Sequence, residues 1–324
     1  MPNAIRFHQT GGPDVLRWEA VEIGKPGKGQ VRLRHTAIGV NFIDTYNRSG
    51  LYKTELPAVI GLEAAGVVTE TGEGVEGFKA GDRVAYAGGP IGSYAEERLY
   101  PADRLVPLPD WIDDRTAASM MLKGMTAEYL LLRTYKVTQG ETILIHAAAG
   151  ATGGLMCQWA KALGAHVIGT VGSEGKVDIA RANGAEHVVL TSDPHWVAKV
   201  REIADGVGLP VVYDGIGKDT FEASLNCLKP RGLMVSFGNA SGAVPPFSLT
   251  ELASRGSLYV TRPTLFAYIA SRGELMESAA ELFGVIHRGQ VKPVIDRTYK
   301  LKDAAEAHRA LESRAVTGAI VLIP

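Results

Sequence analysis

The feature that most constrains this fold is a series of six short apolar segments in the second half of the chain. They are not alternating but continuously apolar, and helical segments at residues 154–163 and 176–183 separate the early ones. Continuous apolar strands interleaved with helices are typical of a parallel sheet that is covered on both faces. The sequence therefore predicts an α/β fold with a doubly wound sheet of six strands, at residues 142–147, 165–170, 187–190, 210–214, 233–238 and 257–261.

A glycine-rich segment, HAAAGATGG at residues 146–154, follows the first of these strands. It reads as G-x-G-x-x-G with Ala148 in place of the first glycine, followed by Gly150 and Gly153. A strand, a bare turn and the exposed amides of a helix N-terminus together suit a pyrophosphate, and Thr152 can add a hydroxyl donor. A tight turn without a ligand is the alternative. The position after the first of six strands favours a dinucleotide cofactor.

The end of the second strand bears on which dinucleotide is bound. An acidic residue there would bind a ribose hydroxyl of NAD, but residues 169–173 contain none. Ser173 and Lys176 follow instead, a hydroxyl donor and a cation that suit a 2′-phosphate. Glu174 argues the other way, and Lys176 as a solvated helix residue is the alternative. The sequence favours NADP over NAD.

The rest of the chain has a different composition and a different pattern of apolar segments. The first part is rich in short β-type runs separated by glycine turns, which favours a small barrel or folded sheet over a helical bundle. Helical composition follows, and the last part contains two helical stretches and a final strand. The cofactor-type domain is thus expected inside a discontinuous outer domain. The β-type runs are at 31–33, 67–69 and 83–86, the helical stretches at 113–134, 275–287 and 303–313, and the final strand at 318–323.

Composition excludes several classes of protein. A length of 324 residues suggests two domains. Lys and Arg number 34 against 35 Asp and Glu, which gives a formal net charge of −1 and no electrostatic footprint for nucleic acid. Two cysteines exclude a disulfide scaffold. No signal-peptide core and no apolar span of about 20 residues is present. We expect a soluble cytoplasmic protein.

The chain lacks the usual metal and serine-nucleophile motifs. It has no Cys-x-x-Cys, no His-Glu-x-x-His and no Gly-x-Ser-x-Gly. Cys157 and Cys227 are expected to be small buried side chains, and His146 a packed strand-end residue. One other segment, residues 39–46 with Tyr52, gathers amide, carboxylate and phenol groups. Such groups can orient a hydride acceptor, although helix capping and aromatic packing are the alternative explanation.

Several strings together resemble the medium-chain dehydrogenase/reductase superfamily. More narrowly, the chain is similar to its zinc-free NADPH:quinone oxidoreductases, the zeta-crystallin-like group, with bacterial quinone reductases as the nearest members. The resemblance covers essentially the whole chain in order. It is carried by NFIDTYNRSGLY (41–52), GLEAAG (61–66), GDRVAY (81–86), LKGMTA (122–127), GETILIHAAAGATGGLMCQWAK (140–161), VVYDGIG (211–217), RGLMVSFGNASG (231–242), YVTRPTL (259–265) and LESRAVTG (311–318).

The resemblance implies a Rossmann doubly wound parallel sheet inserted in a discontinuous GroES-like β-rich catalytic domain. The Rossmann dinucleotide-binding domain would comprise residues 123–262, and the catalytic domain residues 1–122 and 263–324. NADPH would bind in the cleft between them, and a small-molecule quinone would be the substrate. A homodimer would form through the edge strand at 257–261, with no membrane partner and nucleic acid improbable on charge.

The resemblance also implies the site residues. Asn41 and Tyr46 would lie at the nicotinamide and orient and polarise the acceptor, and Tyr52 would line its pocket. The other implied cofactor-binding residues are Thr126, Tyr129, Gly150, Ala151, Thr152, Gly153, Ser173, Lys176, Phe237, Gly238, Asn239, Leu265, Phe266 and Arg314. No metal is expected, because zinc-dependent members have cysteine at the position of Asn41 and Gly-His-Glu where this chain has Gly-Leu-Glu, residues 61–63.

Two departures from the family pattern are visible. The usual turn A-A-G-G-V-G has Ala151 and Thr152 here, which is tolerable if Ala151 has helical dihedral angles. Thr191 replaces a tyrosine often found near the adenosine phosphate, which bears on the strength of the NADPH preference. The expected reaction is hydride transfer to a quinone, or single-electron steps. The alternatives are an NADPH-dependent alkene or enone reductase, and a non-catalytic NADPH- or RNA-binding crystallin-like protein.

Overall fold

The computed structural model describes residues 1–324. The chain divides into two compact units, one of residues 1–125, 268–280 and 293–324 and one of residues 126–267 and 281–292. The domain boundaries given above from the sequence, 1–122 with 263–324 and 123–262, stay a prediction. No helix is long and apolar enough to span a membrane.

The regular elements are numbered in chain order. The strands are β1 Asn3–Phe7, β2 Arg17–Ala20, β3 Gln30–Val40, β4 Ala58–Val59, β5 Glu63–Thr71, β6 Arg83–Ala87, β7 Glu97–Pro101, β8 Val106–Pro107, β9 Thr142–Ile145, β10 His166–Val171, β11 His187–Leu190, β12 Leu209–Asp214, β13 Leu228–Ser236, β14 Tyr259–Thr261, β15 Ile295–Lys300 and β16 Ala319–Ile323. The helices are α1 Phe42–Ser49, α2 Asp114–Tyr129, α3 Ala151–Ala162, α4 Val177–Ala182, α5 Trp196–Ile203, α6 Phe221–Leu225, α7 Thr250–Ser254, α8 Leu265–Tyr268, α9 Arg272–His287 and α10 Ala304–Glu312.

The second unit contains a six-stranded sheet in the order β11-β10-β9-β12-β13-β14, and every pairing in it is parallel. This is the 3-2-1-4-5-6 order of the dinucleotide-binding fold, which reverses direction between its first and fourth strands. The central parts of the strands are mostly apolar and buried, as expected for a sheet that is covered on both faces. Leu144, Ile168, Val212 and Met234 are buried in one cluster with Trp196 of α5. The predicted doubly wound sheet is confirmed.

The first unit is built mainly on antiparallel strands, and only β15 and β16 pair in parallel. A seven-stranded sheet has the order β15-β16-β3-β5-β6-β8, with β7 also paired to β3, and a second sheet has the order β2-β1-β4. The long strand β3 pairs with β5, β7 and β16, so strands from both ends of the chain meet in one sheet. The sheet core contains Phe7, Leu33, Ile38 and Leu322. The expectation of folded sheet rather than a bundle is confirmed.

Some element boundaries differ from those predicted. Helix α3 begins at Ala151, earlier than the predicted start at 154. The prediction was late because Gly153 and Gly154 have low helix propensity and hide the first turn in the sequence. The predicted helical stretch 113–134 is α2 followed by a π-helical turn, Leu130–Thr134. The last strand of the parallel sheet begins at Tyr259 rather than at Ser257, which has a positive φ of 56°.

Candidate active site

The glycine-rich turn joins β9 to α3 at the carboxyl edge of the parallel sheet. Gly150 is the N-cap of α3 with φ −86° and ψ 170°. The amides of Ala151, Thr152 and Gly153 lie in the first turn, where backbone N–H groups have no intrahelical acceptor. They also lie at the positive end of the helix dipole. The turn can therefore bind an anion such as a diphosphate.

Gly153 is required by a close backbone approach. A Cβ at this position would lie 2.2 Å from the carbonyl oxygen of Ala147. Ala147 itself has a left-handed φ of 54°, which turns the chain sharply after β9. The side chain of Asn183 supports the turn, since its Nδ2 donates to Ala148 O at 3.0 Å. Ala151 is helical, as its tolerance at this position requires.

The residues predicted to recognise an adenosine phosphate follow the neighbouring strand, β10. Ser173 precedes a 3₁₀ turn, Glu174–Lys176, and both Ser173 and Glu174 are exposed. Lys176 ends that turn and is half-buried. After β11, the backbone N–H of Thr191 donates to Val171 O at 3.0 Å. The structure thus places Ser173 and Lys176 in one turn beside the glycine-rich turn.

The remaining residues predicted in the second unit lie beyond other strands of the same sheet. Phe237, Gly238 and Asn239 directly follow β13, and Gly238 packs so closely on Gly215 that a Cβ would lie 2.3 Å from its carbonyl oxygen. Leu265 and Phe266 begin α8 after β14. Because all six strands are parallel, these loops share the carboxyl edge with the glycine-rich turn. Thr126 and Tyr129 lie in the last turns of α2 and are 9% and 2% exposed.

The interpretation of His146 as a packed residue is confirmed. Ser224 Oγ donates to Thr220 O at 2.7 Å, so it accepts from His146 Nε2 at 2.8 Å, and Nδ1 then accepts from Thr170 Oγ1 at 2.8 Å. Burial lowers the pKa of His146, which favours this neutral form. Cys157 and Cys227 are buried as expected, and burial raises the pKa of each thiol to about 12.

In the first unit, α1 brings together the amide and phenol groups that the sequence singled out. Asn41 is the N-cap of α1, and Asp44 Oδ2 accepts from its backbone N–H at 2.8 Å in a capping box. Tyr46 lies one turn further along, and its ring meets that of Tyr52 edge-on, with centroids 5.3 Å apart and an interplanar angle of 68°. The backbone N–H of Tyr52 donates to Tyr46 O at 3.0 Å. Asn41, Tyr46 and Tyr52 thus form one local constellation.

Two charged residues at this constellation were missed by the sequence interpretation. Glu63 of β5 is fully buried, and its Oε2 accepts from Asn41 Nδ2 at 2.8 Å and from Lys123 Nζ at 2.6 Å. Its Oε1 accepts from the backbone N–H of Leu122 at 2.7 Å. The available signal was a lone charge within each of two apolar strings, GLEAAG and MLKGM. An isolated charge in an apolar segment indicates a buried partner.

Asp44 is the second buried carboxyl at this constellation. Its Oδ2 also accepts from Tyr94 Oη at 3.0 Å, and burial raises its pKa to about 7. No group of three or more His, Cys, Asp or Glu side chains is arranged to hold a metal ion. Arg314 follows α10 with a positive φ of 58° and is exposed.

Two family models match the chain. The model described as "Zinc-binding dehydrogenase" matches residues 151–281, and "Alcohol dehydrogenase GroES-like domain" matches residues 27–110. A "Quinone oxidoreductase" of Pseudomonas aeruginosa is 50% identical over 325 residues, with 100% of both chains covered. A "2-haloacrylate reductase" of a Burkholderia species is 48% identical and covers 100% of this chain and 99% of its own.

Solved structures resemble the chain over its full length. The crystal structure of Escherichia coli quinone oxidoreductase complexed with NADPH has a TM-score of 0.98 at 48% identity, covering 99% of this chain and 100% of that one. This likeness includes both the parallel sheet and the β-rich unit.

Proposed function

The chain belongs to the quinone oxidoreductases of the medium-chain dehydrogenase/reductase superfamily, and from that membership we propose that this oxidoreductase uses NADPH to reduce quinones. The observation that carries the proposal is the turn at residues 147–153. A diphosphate needs free amides and bare backbone. The turn supplies both, since Gly153 lies where any Cβ would meet Ala147 O at 2.2 Å.

The residues present fit NADPH at three places. The amides of Ala151, Thr152 and Gly153 suit the pyrophosphate. Ser173 and Lys176, one strand away, suit the 2′-phosphate, because a hydroxyl and an ammonium form charge-assisted hydrogen bonds to it. When bound, NADPH supplies a hydride from its nicotinamide ring. The loop at Phe237, Gly238 and Asn239 is proposed to line the nicotinamide half, together with Leu265 and Phe266.

The first unit offers groups that can position an aromatic acceptor. Tyr46 and Tyr52 present two rings at 5.3 Å, and a flat quinone can pack against such a pair. Asn41, at the start of the same helix, adds a buried amide that is held in place by Glu63. A quinone is already electrophilic, so orientation and close approach contribute most of the acceleration required. The hydroquinone anion that forms takes one proton, which completes the balance of one hydride and one proton.

A direct assay tests this proposal. NADPH oxidation is followed with 1,4-benzoquinone and 9,10-phenanthrenequinone, with and without a chelator. We expect turnover with at least one quinone and no change on chelation. Absence of turnover with both quinones would contradict the proposed substrate class. Loss of activity with the chelator would contradict the expectation that the reaction needs no metal. Binding of NADPH is measured separately by calorimetry, so that a missing substrate is not mistaken for a missing cofactor.

A second candidate function is favoured by one comparison. The relative named a 2-haloacrylate reductase is 48% identical over the full chain, so an activated alkene is a reasonable alternative acceptor. Reduction of such an alkene uses the same hydride and adds a proton at the neighbouring carbon. Comparing kcat/KM for 1,4-benzoquinone, 2-chloroacrylate and an enone in one preparation decides between them. A higher kcat/KM for either alkene would replace the quinone proposal.

We also propose that two copies associate through β14. This strand is the edge of the parallel sheet, and Tyr259 on it is 60% exposed. Exposed edge strands with large apolar residues tend to pair with another chain. Light scattering on the intact protein should give twice the monomer mass, and Tyr259→Lys should shift the mass toward the monomer. A monomeric protein at micromolar concentration would contradict the proposal.

A further inference from the structure

His146 forms a hydrogen bond at each nitrogen of its ring. Its Nδ1 accepts from Thr170 Oγ1 of β10 at 2.8 Å, and its Nε2 donates to Ser224 Oγ of α6 at 2.8 Å. The ring of Trp196 meets the imidazole edge-on, with centroids 5.6 Å apart. His146, Thr170 and Ser224 are at most 1% exposed. Because water does not reach these atoms, loss of either hydrogen bond would leave a buried polar group without a partner.

Thr170 also holds the glycine-rich segment through its backbone. Its carbonyl oxygen accepts from Ala148 N at 3.0 Å, so one residue of β10 bonds to this segment at both His146 and Ala148. The space between the strand and the turn is closed, since a Cβ on Gly169 would lie 2.7 Å from Ala148 Cβ. Two hydrogen bonds and one close contact therefore fix the end of β10 relative to the glycine-rich turn.

The two proposed phosphate sites follow directly from this junction. The amides of residues 151–153, proposed for the pyrophosphate, begin five residues after His146. Ser173, proposed for the 2′-phosphate, comes three residues after Thr170, and its carbonyl oxygen accepts from Lys176 N at 3.1 Å. A ligand that carries both phosphate groups gains affinity from the second only where the spacing of the two sites suits it. Precise sites are held in place by buried hydrogen bonds behind them.

We propose that Thr170 and His146 are positioning residues that set the spacing between the glycine-rich turn and the turn at residues 173–176, so that one ligand can engage both turns through its pyrophosphate and its 2′-phosphate. The inference rests on the proposed function, which assigns the phosphates of NADPH to these two turns. Because both side chains are buried, they act through the backbone and not by contact with the ligand. Their effect is on simultaneous binding at the two turns.

A pair of ligands tests this spacing. 2′-Phospho-ADP-ribose carries the pyrophosphate and the 2′-phosphate but no nicotinamide, whereas adenosine 2′-monophosphate carries the 2′-phosphate alone. Thr170→Val keeps the branched shape of the side chain and removes the hydroxyl donor. We expect calorimetry to show that this variant binds 2′-phospho-ADP-ribose about tenfold more weakly than the unmodified protein, about 1.4 kcal/mol. The affinity for adenosine 2′-monophosphate, measured by displacement, should stay the same. An unchanged affinity for the first ligand, or equal losses for both, would overturn the inference.

Two further variants separate positioning from general stability. Thr170→Ser keeps the hydroxyl and should restore the affinity for 2′-phospho-ADP-ribose. Tyr213→Phe is the matched control, because Tyr213 is buried on β12, next to β9, and its Oη donates to Leu130 O at 3.1 Å. It loses one buried hydrogen bond outside the His146 network and should bind both ligands as the unmodified protein does. A loss in Tyr213→Phe equal to that in Thr170→Val would refute the positioning role.

The inference can also be tested from the other side of the hydrogen bond. His146→Phe keeps an aromatic ring beside Trp196 and removes both ring nitrogens. We expect it to lose affinity for 2′-phospho-ADP-ribose selectively, as Thr170→Val does. This variant decides the question if Thr170→Val does not fold, and full affinity in folded His146→Phe would overturn the inference.

Failure of this inference is distinguishable from failure of the proposed function. If the unmodified protein and Thr170→Val bind 2′-phospho-ADP-ribose equally well, the cofactor site stands and only the positioning role is lost. If the unmodified protein binds neither 2′-phospho-ADP-ribose nor NADPH, the proposed function itself is contradicted.

Discussion

Arg48 Nη1 lies 2.9 Å from His308 Nδ1 in the core of the β-rich unit. A guanidinium can only donate, so Nδ1 accepts and the proton of the neutral ring is on Nε2. His308 Nε2 then donates to Tyr94 Oη at 3.1 Å, and Tyr94 donates to Asp44 Oδ2 at 3.0 Å. Burial, aided by Arg48, lowers the pKa of His308 to about 3, in keeping with a neutral ring. Each of these three hydrogen bonds is donated in the direction of Asp44.

This arrangement predicts a pH-dependent stability that depends on Asp44. Burial raises its pKa from 3.8 to about 7, so between these values the folded state binds more protons than the unfolded state. The contribution of Asp44 to stability therefore falls as pH rises from about 4 to about 7. In Asp44→Asn one amide oxygen can accept both hydrogen bonds and no charge is buried. We expect the Tm of Asp44→Asn minus the Tm of the unmodified protein to be larger at pH 8 than at pH 5.

Calorimetry at the two pH values measures the effect on Asp44→Asn. The matched control is Asp110→Asn at an exposed position, which removes the same charge without a buried network. Its Tm difference from the unmodified protein should be the same at both pH values. A Tm difference for Asp44→Asn that does not change with pH would show that Asp44 is ionised throughout this range.

The parallel sheet was predictable because its signal is local. Each strand contains a short apolar run, and the glycine-rich turn falls directly after the first of them, at Gly150 and Gly153. The start of α3 was not predicted correctly, since propensity disfavours glycine in a helix while the backbone contact with Ala147 demands it there.

The constellation around Asn41 was predictable only in part. Asn41, Tyr46 and Tyr52 are close in sequence, so their proximity follows from one helix and the turn after it. Glu63 and Lys123 come from a distant strand and helix, and only the tertiary fold brings them to Asn41. A lone charge in an apolar string indicates that a partner exists, but not which residue it is.

Gly153→Ala should disrupt the turn. Alanine normally stabilises a helix relative to glycine by about 1 kcal/mol, but here its Cβ would lie 2.2 Å from Ala147 O. We expect a net loss of about 1–3 kcal/mol and weaker binding of NADPH, as the first turn of α3 moves away from β9. Gly172→Ala is the control for stability, because a Cβ there meets nothing within 4 Å. Thermal unfolding of both variants checks the prediction, and a stabilised Gly153→Ala would contradict it.

Ser173 and Lys176 should determine the preference for NADPH over NADH. Ser173 begins and Lys176 ends the turn after β10, and both can donate to a 2′-phosphate, which NADH lacks. A charge-assisted hydrogen bond contributes about 1.5–3 kcal/mol, so Ser173→Ala/Lys176→Ala should lower kcat/KM for NADPH by about 10–100-fold. The value for NADH should change little. Lys136→Ala, which removes an exposed charge elsewhere in the same unit, should leave the ratio unaltered. Equal losses with both cofactors would assign these residues a structural role.

Arg98 should be essential for the stability of the β-rich unit. Its Nη2 donates to Pro90 O at 3.0 Å and Ile91 O at 3.1 Å, and its guanidinium lies 4.8 Å from the ring centroid of Tyr100. Tyr100 Oη in turn donates to Gly88 O at 2.6 Å, so the loop 88–92 is fastened at two points. Lysine keeps the charge but not the planar guanidinium, whose Nη2 bonds both carbonyls while Nη1 donates to Tyr86 Oη at 3.2 Å.

We therefore expect Arg98→Lys to cost about 2–4 kcal/mol, because a buried guanidinium loses its planar hydrogen bonds and its contact with the Tyr100 ring. Arg34→Lys, an exposed position on β3, should be neutral. Thermal unfolding compares the two variants, and limited proteolysis reports whether cleavage within the loop 88–92 accelerates in Arg98→Lys alone. If Arg98→Lys unfolds at the same temperature as the unmodified protein, the loop is held by Tyr100 without help from the guanidinium.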